Sequence, residues 1–338
     1  MLALLPNWVG DAVMFTPTLR ALRARWPEAE LTLLGRPAPA AALRPNPWAD
    51  QVLTSTDSIA RDALRLRGRR YDLAVLGPNS LRSALCVFLG GCRRRVGYGR
   101  DGRGWLLTDR LQAPRDEGGG WAVTPALDYY LELARHLGCD VADRRMELGI
   151  DPADAARADE LLAQAHADPH LPIVLLNPGA SFGGSKLYPA PRFAAVADHL
   201  VDRRGAQIVI TAGPGEGEIA RAVAKAMNHA ALLNLADVKN TIGLVKAMTA
   251  RSRLMITNDT GPRHFAAALA VPVVTIFGAT DPGWTTLDCP WERIVRVGVP
   301  CGPCRKKQCP LPPGDQHHQC MRNIPPEMVL AAAEELLG

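Results

Sequence analysis

The sequence predicts an α/β protein built from two doubly wound, mostly parallel sheets in two Rossmann-like halves. Short, continuously apolar runs alternate along the chain with segments of helical spacing. Such runs are typical of parallel strands covered by helices on both faces. The series begins a second time near the middle of the 338 residues, and this length is enough for two domains of ordinary size. We therefore expect two sheets facing a cleft, with ligands at the carboxyl ends of their strands.

The strands are predicted from apolar runs that end in turn-forming residues. Only Met1–Leu5 are available to form the first strand, so we expect either a short strand or a start of translation that lies further upstream. Helices are predicted where apolar residues recur every three or four positions, as at Leu19, Leu22 and Trp26. The remaining predicted strands are AELTLLG (29–35), YDLAVLG (71–77), IVLLNPG (173–179), QIVITAG (207–213), RLMITND (253–259) and VPVVTIFG (271–278).

A domain boundary is predicted where the series of strands begins again. A polar helix rich in Ala and Asp (151–167) is followed by DPHLP, and a new strand starts at Ile173. We therefore expect a first domain over 1–168 and a second over 169–324. The last segment, 325–338, is predicted to be an amphipathic helix with Pro in its first turn. We expect that helix to pack back on the first domain.

Composition indicates a soluble globular protein, with 47% hydrophobic and 22% charged residues. No apolar stretch approaches the roughly 18 residues of a membrane-spanning helix, and no export signal is visible, so we expect a cytoplasmic protein. The net charge of +5 is concentrated in arginine runs at 61–70 and 93–95. These runs fit either a surface for an anionic partner or a solvated helix face. Few aromatic residues are interleaved with them, which argues against nucleic acid as a partner.

The strongest functional signal is the segment TNDTGPRHFAAALAVPVVTIFGATDPG (257–283). A strand ends at Asp259, Gly261 lies in the turn, and a helix follows with His264 in its first turn. Free N–H groups and the helix dipole make such a turn an anion site. Two other Gly-rich turns follow strands, and one of them carries Lys186. Asp259 alone could be a helix cap and His264 a core residue, but together these turns indicate a diphosphate ligand.

Two absent motifs narrow the function. The segment TAGPGEGEIARAV (211–223) has Glu218 where a GxGxxG fingerprint needs Gly, and no such fingerprint follows the first strand. These departures disfavour an NAD-dependent oxidoreductase. The sequence also contains no Asp-x-Asp triplet, with which metal-dependent sugar transferases commonly hold a divalent ion. We therefore expect Lys186 and backbone N–H groups to compensate the diphosphate charge without a metal.

The first strand is followed by a Gly10–Asp11 turn, where a dinucleotide fold would have more glycines. Asp11 could cap the first helix. Alternatively, Thr16 is the cap and Pro17 is the first helical residue. In either case a carboxylate follows a strand in a position where a phosphate commonly binds.

Five motifs together resemble the ADP-heptose:lipopolysaccharide heptosyltransferase family, most closely its heptosyltransferase II branch. The match spans nearly the whole chain in order. The motifs are LPNWVGDAVMFTPTLRALR, GPNSLRSAL (77–85), RVGYGR (95–100), NPGASFGGSKLYP (177–189) and NDTGPRHFAAAL with VPVVTIFGATDPGWT.

The resemblance implies a GT-B fold and a metal-independent inverting glycosyltransferase that moves L-glycero-D-manno-heptose from ADP-heptose to the heptose/Kdo inner core of lipopolysaccharide. Asp11 would be the general base and Lys186 would bind the leaving diphosphate. Either Glu216 or Glu218 would contact the ribose, and Glu216 is our choice. The other implied donor-binding residues are Ser181, Asn240, Asp259, Thr260, Gly261 and His264. The implied acceptor-binding residues are Asn79, Ser80 and Arg95.

The resemblance also implies a lipid A–Kdo/heptose acceptor and a peripheral position at the inner face of the inner membrane. One alternative is a GT-B transferase or epimerase that acts on a different nucleotide sugar. A non-catalytic polyanion-binding protein is a further alternative, but it leaves the phosphate loops of the second half unexplained.

A cysteine cluster near the C-terminus has the pattern C-x2-C-x4-C-x10-C. Disulfides are disfavoured in the cytosol, and four thiols at this spacing can hold zinc or an iron–sulfur cluster. The intervals do not match a standard zinc finger, so reduced thiols or disulfides remain the alternative. The predicted ligands of a structural metal are Cys301, Cys304, Cys309 and Cys320.

Overall fold

The computed structural model describes residues 1–338 and divides them into two compact units. The first unit comprises residues 1–149 and 283–286, and the second comprises 150–282 and 287–338. Each unit contains one six-stranded, fully parallel sheet with flanking helices. The predicted doubly wound α/β class is therefore confirmed for both halves.

The sheet of the first unit has the strand order β3-β2-β1-β4-β5-β6. Its strands are β1 (Leu2–Leu4), β2 (Thr32–Gly35), β3 (Gln51–Thr54), β4 (Leu73–Leu76), β5 (Arg94–Tyr98) and β6 (Asp109–Leu111). Its helices are α1 (Val9–Met14), α2 (Thr16–Arg25), α3 (Pro37–Ala42), α4 (Ile59–Arg67), α5 (Leu81–Leu89) and α6 (Ala126–His136).

Strand β1 is only three residues long but lies in the middle of the sheet. It pairs in parallel with both β2 and β4, and all three of its residues are buried. The Leu5 N–H adds a further hydrogen bond to the Leu34 carbonyl at 2.9 Å. The expected short first strand is thus confirmed, because pairing on both sides satisfies its backbone groups.

The sheet of the second unit has the order β12-β11-β10-β7-β8-β9. Its strands are β7 (Ile173–Asn177), β8 (Gln207–Ile210), β9 (Leu233–Asn234), β10 (Leu254–Asn258), β11 (Val273–Ile276) and β12 (Glu292–Val295). Its helices are α7 (Pro152–Gln164), α8 (Ala190–Arg204), α9 (Gly217–Ala226), α10 (Ile242–Arg251), α11 (Gly261–Ala268), α12 (Gln319–Arg322) and α13 (Pro326–Leu337). All six predicted internal strands coincide with β2, β4, β7, β8, β10 and β11.

The boundary between the units lies at residues 149/150 rather than at the predicted 168/169. Helix α7 belongs to the second unit because it packs against α10. An ion pair between Arg251 and Asp159 joins these two helices. The segment was correctly predicted to be helical, but it was assigned to the first domain, although Ala158, Leu161 and Leu162 form a stripe buried in the second unit.

The C-terminal helix α13 also packs within the second unit, so the prediction that it returns to the first domain is wrong. Its contacts are with α8, β10, β11 and β12. Val329 and Ala333 are fully buried in the core of that unit. Glu335 forms an ion pair with Arg293 on β12 at 2.7 Å, and Glu334 pairs with Arg204 on α8.

The arginine run at 61–70 lies on the exposed side of α4 and in the turn after it. Leu64, 73% exposed, accompanies these arginines. The longest helix, α8, has fifteen residues, and none of the helices has the length and apolar character needed to cross a bilayer.

Each sheet reverses its strand order at one point, and ligands bind beside such points in open α/β sheets. In the first unit the reversal lies between β1 and β4, and in the second it lies between β7 and β10. The candidate site residues lie in the loops and helix starts that follow these four strands. They are Asp11 after β1, Asn79 after β4, Lys186 after β7, and Asp259 and His264 after β10.

Candidate active site

Two buried asparagines fix the loops at the reversal point of the second sheet. The Asn177 side chain at the end of β7 donates to the Thr257 hydroxyl at 2.8 Å. The Asn258 side chain at the end of β10 donates to the carbonyls of Pro178 and Gly179 at 2.7 and 3.2 Å. These bonds tie the loop after β7 to β10.

Lys186 lies in a single 3-10 turn (Gly184–Lys186) and forms a buried pair with Asp259. Its ammonium donates to Asp259 Oδ2 at 2.5 Å and to the Asp259 carbonyl at 3.0 Å. The Thr280 hydroxyl donates to the same Oδ2 at 2.7 Å. Burial disfavours the charged form of Asp259, but Lys186 and Arg263 outweigh it and hold the pKa of this carboxyl below its ordinary value. Asp259 therefore orients Lys186 here.

A second buried ion pair supports the first. The Arg263 guanidinium on α11 is fully buried and forms two bonds to Glu292 on β12, at 2.6 and 3.0 Å. Its Nη1 also lies 3.6 Å from Asp259 Oδ1. The side chains thus form a network of two cations and two carboxylates. Buried charges require such mutual compensation.

His264 lies in the first turn of α11 with 4% of its surface exposed. Burial, reinforced by Arg263, lowers the pKa of this imidazole to about 3, so it is neutral at physiological pH. Its Nδ1 has no hydrogen-bond partner. Thr260 and Gly261 supply the N-cap and first residue of α11, where free N–H groups favour an anion. A neutral histidine can donate one hydrogen bond there without adding charge.

Glu216 and Asn240 lie at the end of β8. Glu216 Oε2 accepts a hydrogen bond from the Gly213 N–H at 2.9 Å. A Cβ on Gly179 would come within 2.0 Å of that oxygen, so only glycine admits Glu216 to this position. Asn240 donates to the Ala212 carbonyl at 2.7 Å, and its Oδ1 is buried without a partner.

The remaining expected donor-binding positions differ in their surroundings. Ser181 is exposed in the loop after β7. Glu218, the alternative to Glu216, is solvent-exposed and pairs with Arg221. We therefore keep Glu216 as the candidate.

In the first unit, Asp11 is the third residue of α1 rather than its N-cap. Trp8 is the N-cap residue, and it makes no side-chain capping bond. The Tyr130 hydroxyl on α6 is hydrogen-bonded to the Asp11 carboxylate, and burial together with that carboxylate raises the pKa of Tyr130 well above its ordinary value. The alternative interpretation of Asp11 as a helix cap is therefore excluded. Helix α2 begins at Thr16 with Phe15 as its N-cap residue, so Thr16 is not the cap either.

The three expected acceptor-binding residues have different environments. Asn79 lines a cavity and accepts a hydrogen bond from Tyr129 at 3.2 Å. Ser80 is the N-cap of α5, where its hydroxyl accepts from the Ser83 N–H. Arg95 lies near the start of β5, and its guanidinium bonds to backbone carbonyls, including that of Leu106 at 2.7 Å. The start of a parallel strand lies at the opposite edge from the carboxyl ends, so Arg95 is not close to Asn79.

Sequence reasoning missed several residues that support the site. Tyr130 has the helical spacing of a core residue, and Arg263 and Glu292 look like separate surface charges in the sequence. Arg103 is fully buried and donates to the Tyr98 carbonyl at 3.0 Å. A Cβ on Gly97 would come within 3.2 Å of the Arg103 guanidinium, but only the structure shows this contact.

The cysteine-rich segment packs directly on the loop that carries Lys186. The Ser185 N–H donates to the Lys307 carbonyl at 3.1 Å, and the Arg305 N–H donates to the Ala279 carbonyl at 2.8 Å. Gly183 has a φ of 153°, and a Cβ there would lie 2.3 Å from the Lys307 oxygen. The segment therefore helps to hold the residue next to Lys186.

The cysteine-rich segment brings two histidines close to one of its four thiols. Only Cys309, His317 and His318 have ligand atoms within 4.8 Å of one another. The four predicted thiols are also neighbours, because burial together with Cys304, Cys301 and Cys309 raises the pKa of Cys320 to about 11. His317 Nδ1 lies 2.7 Å from the Leu311 carbonyl, a bond that leaves Nε2 as the ligand atom.

Two Rossmann-like units, one with a helix start that favours an anion and one with Asp11 beside its reversal point, have the architecture of glycosyltransferases of the GT-B class. Residues 59–314 match glycosyltransferase family 9 (heptosyltransferase), and the chain belongs to this family.

The chain is similar to named members of that family over nearly its whole length. It is 26% identical to lipooligosaccharide heptosyltransferase 2 of Campylobacter jejuni over 344 residues, covering 98% of this chain and 97% of the relative. The structure of Escherichia coli ADP-heptose LPS heptosyltransferase II matches with a TM-score of 0.79 and 26% identity, over 99% and 98% of the two chains. E. coli heptosyltransferase WaaC with ADP-2-deoxy-2-fluoro heptose shares the fold at a TM-score of 0.69 and 17% identity, over 99% of each chain.

Proposed function

We propose that this glycosyltransferase moves L-glycero-D-manno-heptose from ADP-heptose to the heptose/Kdo inner core of lipopolysaccharide, with inversion at the anomeric carbon. The observation that carries the proposal is the anion site at the reversal point of the second sheet, formed by Lys186, neutral His264 and the start of α11. The names of the relatives, heptosyltransferases with ADP-heptose or its analogue as donor, support the choice of donor and product.

In the proposed reaction, Asp11 removes the proton from the attacking acceptor hydroxyl. The hydroxyl oxygen then bonds to the anomeric carbon as the bond between that carbon and the ADP oxygen breaks. ADP leaves with the electron pair, and one base is sufficient for such an inverting displacement.

Lys186 and the N–H groups at Thr260 and Gly261 stabilise the charge that develops on the departing diphosphate. Asp259 holds Lys186, while His264 donates a hydrogen bond. Ser181 contacts the donor from its exposed loop. Glu216 binds the ribose hydroxyls, and the unpartnered Asn240 oxygen accepts a hydrogen bond from the adenine amino group. No step uses a metal.

Nucleotide preference and product mass test this proposal. The chain is incubated with ADP, UDP or neither, and its thermal transition is recorded; ADP at about 100 times its Kd stabilises by about 2.7 kcal/mol. ADP-heptose and a heptose/Kdo acceptor are then supplied, and mass spectrometry measures the gain of one heptose. Stabilisation by UDP alone would instead identify an enzyme for another nucleotide sugar.

We also propose that the first unit binds the membrane surface peripherally, because the expected acceptor is anchored in lipid. Helices α4 and α5 pack together, and exposed apolar side chains occur on or beside them. They are Leu64, Leu81, Phe88, Leu89 and Trp105. Exposed arginines at 61, 65 and 67 flank them on α4. Apolar side chains among arginines are typical of surfaces that bind anionic lipid.

Vesicle sedimentation tests the membrane proposal. Vesicles with anionic lipid should retain the wild-type chain, and Trp105→Ser with Phe88→Ser should reduce the bound fraction severalfold. Trp26→Ser lies outside this surface and serves as the matched control. Equal binding by all three proteins, or binding to neutral vesicles alone, would contradict the proposal.

Finally, we propose a structural metal in the cysteine-rich segment, with Cys309, His317 and His318 as ligands. One thiolate and two imidazoles suit zinc better than an iron–sulfur cluster. Metal analysis of protein purified without a His tag tests this, since a resident ion should approach one equivalent. Cys309→Ser should lose it, and Cys289→Ser should not. Less than about 0.2 equivalents of zinc and iron in the wild type would end the proposal.

A further inference from the structure

The cysteine-rich segment has a long middle part that the hydrophobic core does not hold. Residues 300–318 contain neither helix nor strand, and none of their side chains is buried. The core of the second unit anchors only the two ends, through Val299 before this stretch and Met321 after it. A loop of this length without secondary structure needs other bonds to keep one conformation.

Sulfur and imidazole groups provide such bonds. Cys309, His317 and His318 have ligand atoms within 4.8 Å of one another. The Cys309 sulfur accepts a hydrogen bond from the His318 N–H at 3.3 Å, and the Cys301 sulfur accepts one from the Gln319 side chain at 3.5 Å. An ion on Cys309 and the two histidines would close the loop between them, and such a closure restricts the paths open to the chain.

The four residues just before Cys309 lie against the loop that carries the proposed diphosphate lysine. We call residues 305–308 the support segment. The buried Ser185 donates from its N–H to the Lys307 carbonyl at 3.1 Å and from its hydroxyl to the Lys306 carbonyl at 2.5 Å. Both bonds end on main-chain oxygens, so the path of the support segment decides where this loop lies.

The support segment also contacts the loop after β11. The Arg305 N–H donates to the Ala279 carbonyl at 2.8 Å. The next residue along that loop is Thr280, whose hydroxyl donates to Asp259 Oδ2 at 2.7 Å. The support segment therefore touches both of the loops that bring partners to Asp259, one with Lys186 and one with Thr280.

The candidate nucleoside contacts are held by other parts of the unit. Glu216 accepts from the Gly213 N–H at 2.9 Å, and Asn240 donates to the Ala212 carbonyl at 2.7 Å. A displacement of the support segment should therefore affect the diphosphate part of the donor site and leave its nucleoside part in place.

We propose that the support segment positions Lys186 for the diphosphate, and that an ion on Cys309, His317 and His318 keeps the support segment in place. The ion then sets the affinity for a diphosphate without contacting it. This inference rests on the ion and the diphosphate site proposed above. Its physical basis is preorganisation, since a lysine that is already oriented loses less conformational entropy when the anion binds.

Removal of the ion from the intact chain tests the inference. The protein is dialysed against a chelator, the chelator is removed, and calorimetry measures the binding of pyrophosphate, ADP and adenosine. The Kd for pyrophosphate and for ADP should rise by about tenfold, the equivalent of about one hydrogen bond, while the Kd for adenosine stays within about twofold. Zinc added back at one equivalent should restore both diphosphate affinities.

Substitutions separate the ion from the contact that it maintains. Cys309→Ser should behave like the chelated wild type, and Cys289→Ser, outside the segment, like the untreated one. Gly183→Ala should keep the ion but weaken diphosphate binding by about tenfold, because its Cβ would lie 2.3 Å from the Lys307 oxygen. Chelation of Gly183→Ala should then raise the pyrophosphate Kd by less than about twofold, because the contact is already lost.

Gly91→Ala is the control for the added methyl group. Gly91 also has a positive φ, 70°, but no atom lies within 4 Å of the Cβ position, and it belongs to the first unit. This variant should bind pyrophosphate like the wild type and lose affinity on chelation to the same extent.

Several results would overturn the inference. One is removal of the ion without a change in the Kd for pyrophosphate, and another is an equal loss of adenosine binding, which would mean general damage to the unit. Full additivity of chelation and Gly183→Ala, or a wild type that binds neither pyrophosphate nor ADP, would overturn it as well.

The same measurements distinguish this inference from the proposed function. A wild type that contains no ion ends both the metal proposal and this inference. If pyrophosphate affinity depends on the ion but the chain transfers no heptose, the proposed reaction fails and the role of the support segment stands.

Discussion

The cationic side chains near the reversal points of the two sheets differ in whether a carboxylate pairs with them. In the second unit, Lys186 and Arg263 are each paired with a buried carboxylate, so the side chains sum to no net charge. In the first unit, Arg100 lines a cavity that also includes Tyr130, and it donates to the Tyr129 hydroxyl. The buried Arg103 likewise donates only to neutral groups. The diphosphate site therefore relies on orientation, with backbone N–H groups and a neutral histidine, whereas the cavity lined by Arg100 has net positive charge.

The largest expected effect is at Asp11, the one carboxylate of the first site that the proposed chemistry uses. Asp11→Asn should lower kcat by about 10²–10⁴-fold, because general-base catalysis typically contributes that much. The ADP-induced thermal shift should be unchanged, since the donor site lies in the other unit. Asp72→Asn is the control, because Asp72 is a surface residue of the same unit. Turnover of Asp11→Asn near the wild-type rate would refute the general-base role.

The next largest effect tests whether Lys186 and Asp259 compensate each other's charge in the folded second unit. Lys186→Ala should lower the free energy of unfolding by about 3 kcal/mol, because it leaves Asp259 buried without its ammonium partner. Urea denaturation measures this, and Lys225→Ala on the exposed face of α9 should stay within about 0.5 kcal/mol.

A double variant identifies the cause of that loss. Adding Asp259→Asn to Lys186→Ala removes the orphaned charge and should restore part of the stability, which a double-mutant cycle quantifies. Additive losses would mean that the pair is not coupled. In both variants ADP binding should be weaker, because the diphosphate loses its cation.

A smaller effect concerns His264, which is neutral in the folded state. Its pKa lies near 3 when folded, against 6.5 for an ordinary histidine, so the unfolded chain binds the proton first as the pH falls. The contribution of His264 to the free energy of unfolding is thus complete above about pH 6.5 and is lost toward pH 3, by up to about 1.4 kcal/mol per pH unit. Arg263, Lys186 and Asp259 are the charged groups that act on it.

His264→Gln tests this dependence. The difference in unfolding free energy between wild type and variant should shrink as the pH falls from about 6.5 to 4.5, since glutamine does not titrate. A constant difference across that range would contradict the neutral state of His264.

The second unit also shows which site residues the sequence could predict and which it could not. Lys186, Asp259 and His264 follow strands in Gly-rich turns, and local patterns identify such turns without knowledge of the fold. Arg263 and Glu292 are 29 positions apart, and their bond exists only because β12 pairs beside β11. Local sequence carries no signal for such a contact.

Errors in the predicted elements have the same origin. Helix α7 and helix α13 were recognised as helices, but their packing partners α10 and α8 were not apparent from their own residues. The cysteine spacing predicts four thiols as ligands, and the fold in addition brings His317 and His318 to Cys309, which the spacing does not indicate. Spacing along the chain limits which ligands can meet, but the path of the loop decides which ones do.

The smallest expected effect is the response of the two sites to salt. Interactions of exposed or half-exposed charges are screened over about 8–10 Å at physiological ionic strength. The cavity lined by Arg100 and by the expected acceptor-binding residue Asn79 should therefore lose affinity for an anionic sugar of the acceptor as salt rises from about 50 to 500 mM, by about threefold to tenfold. The Kd for ADP should change less, because orientation of N–H groups and a neutral His264 contribute most of its site. Calorimetry of each ligand at the two ionic strengths measures both responses, and Arg100→Gln should make the sugar response as shallow as that of ADP. A steeper salt dependence for ADP than for the anionic sugar would reverse the assignment of net charge to the two sites.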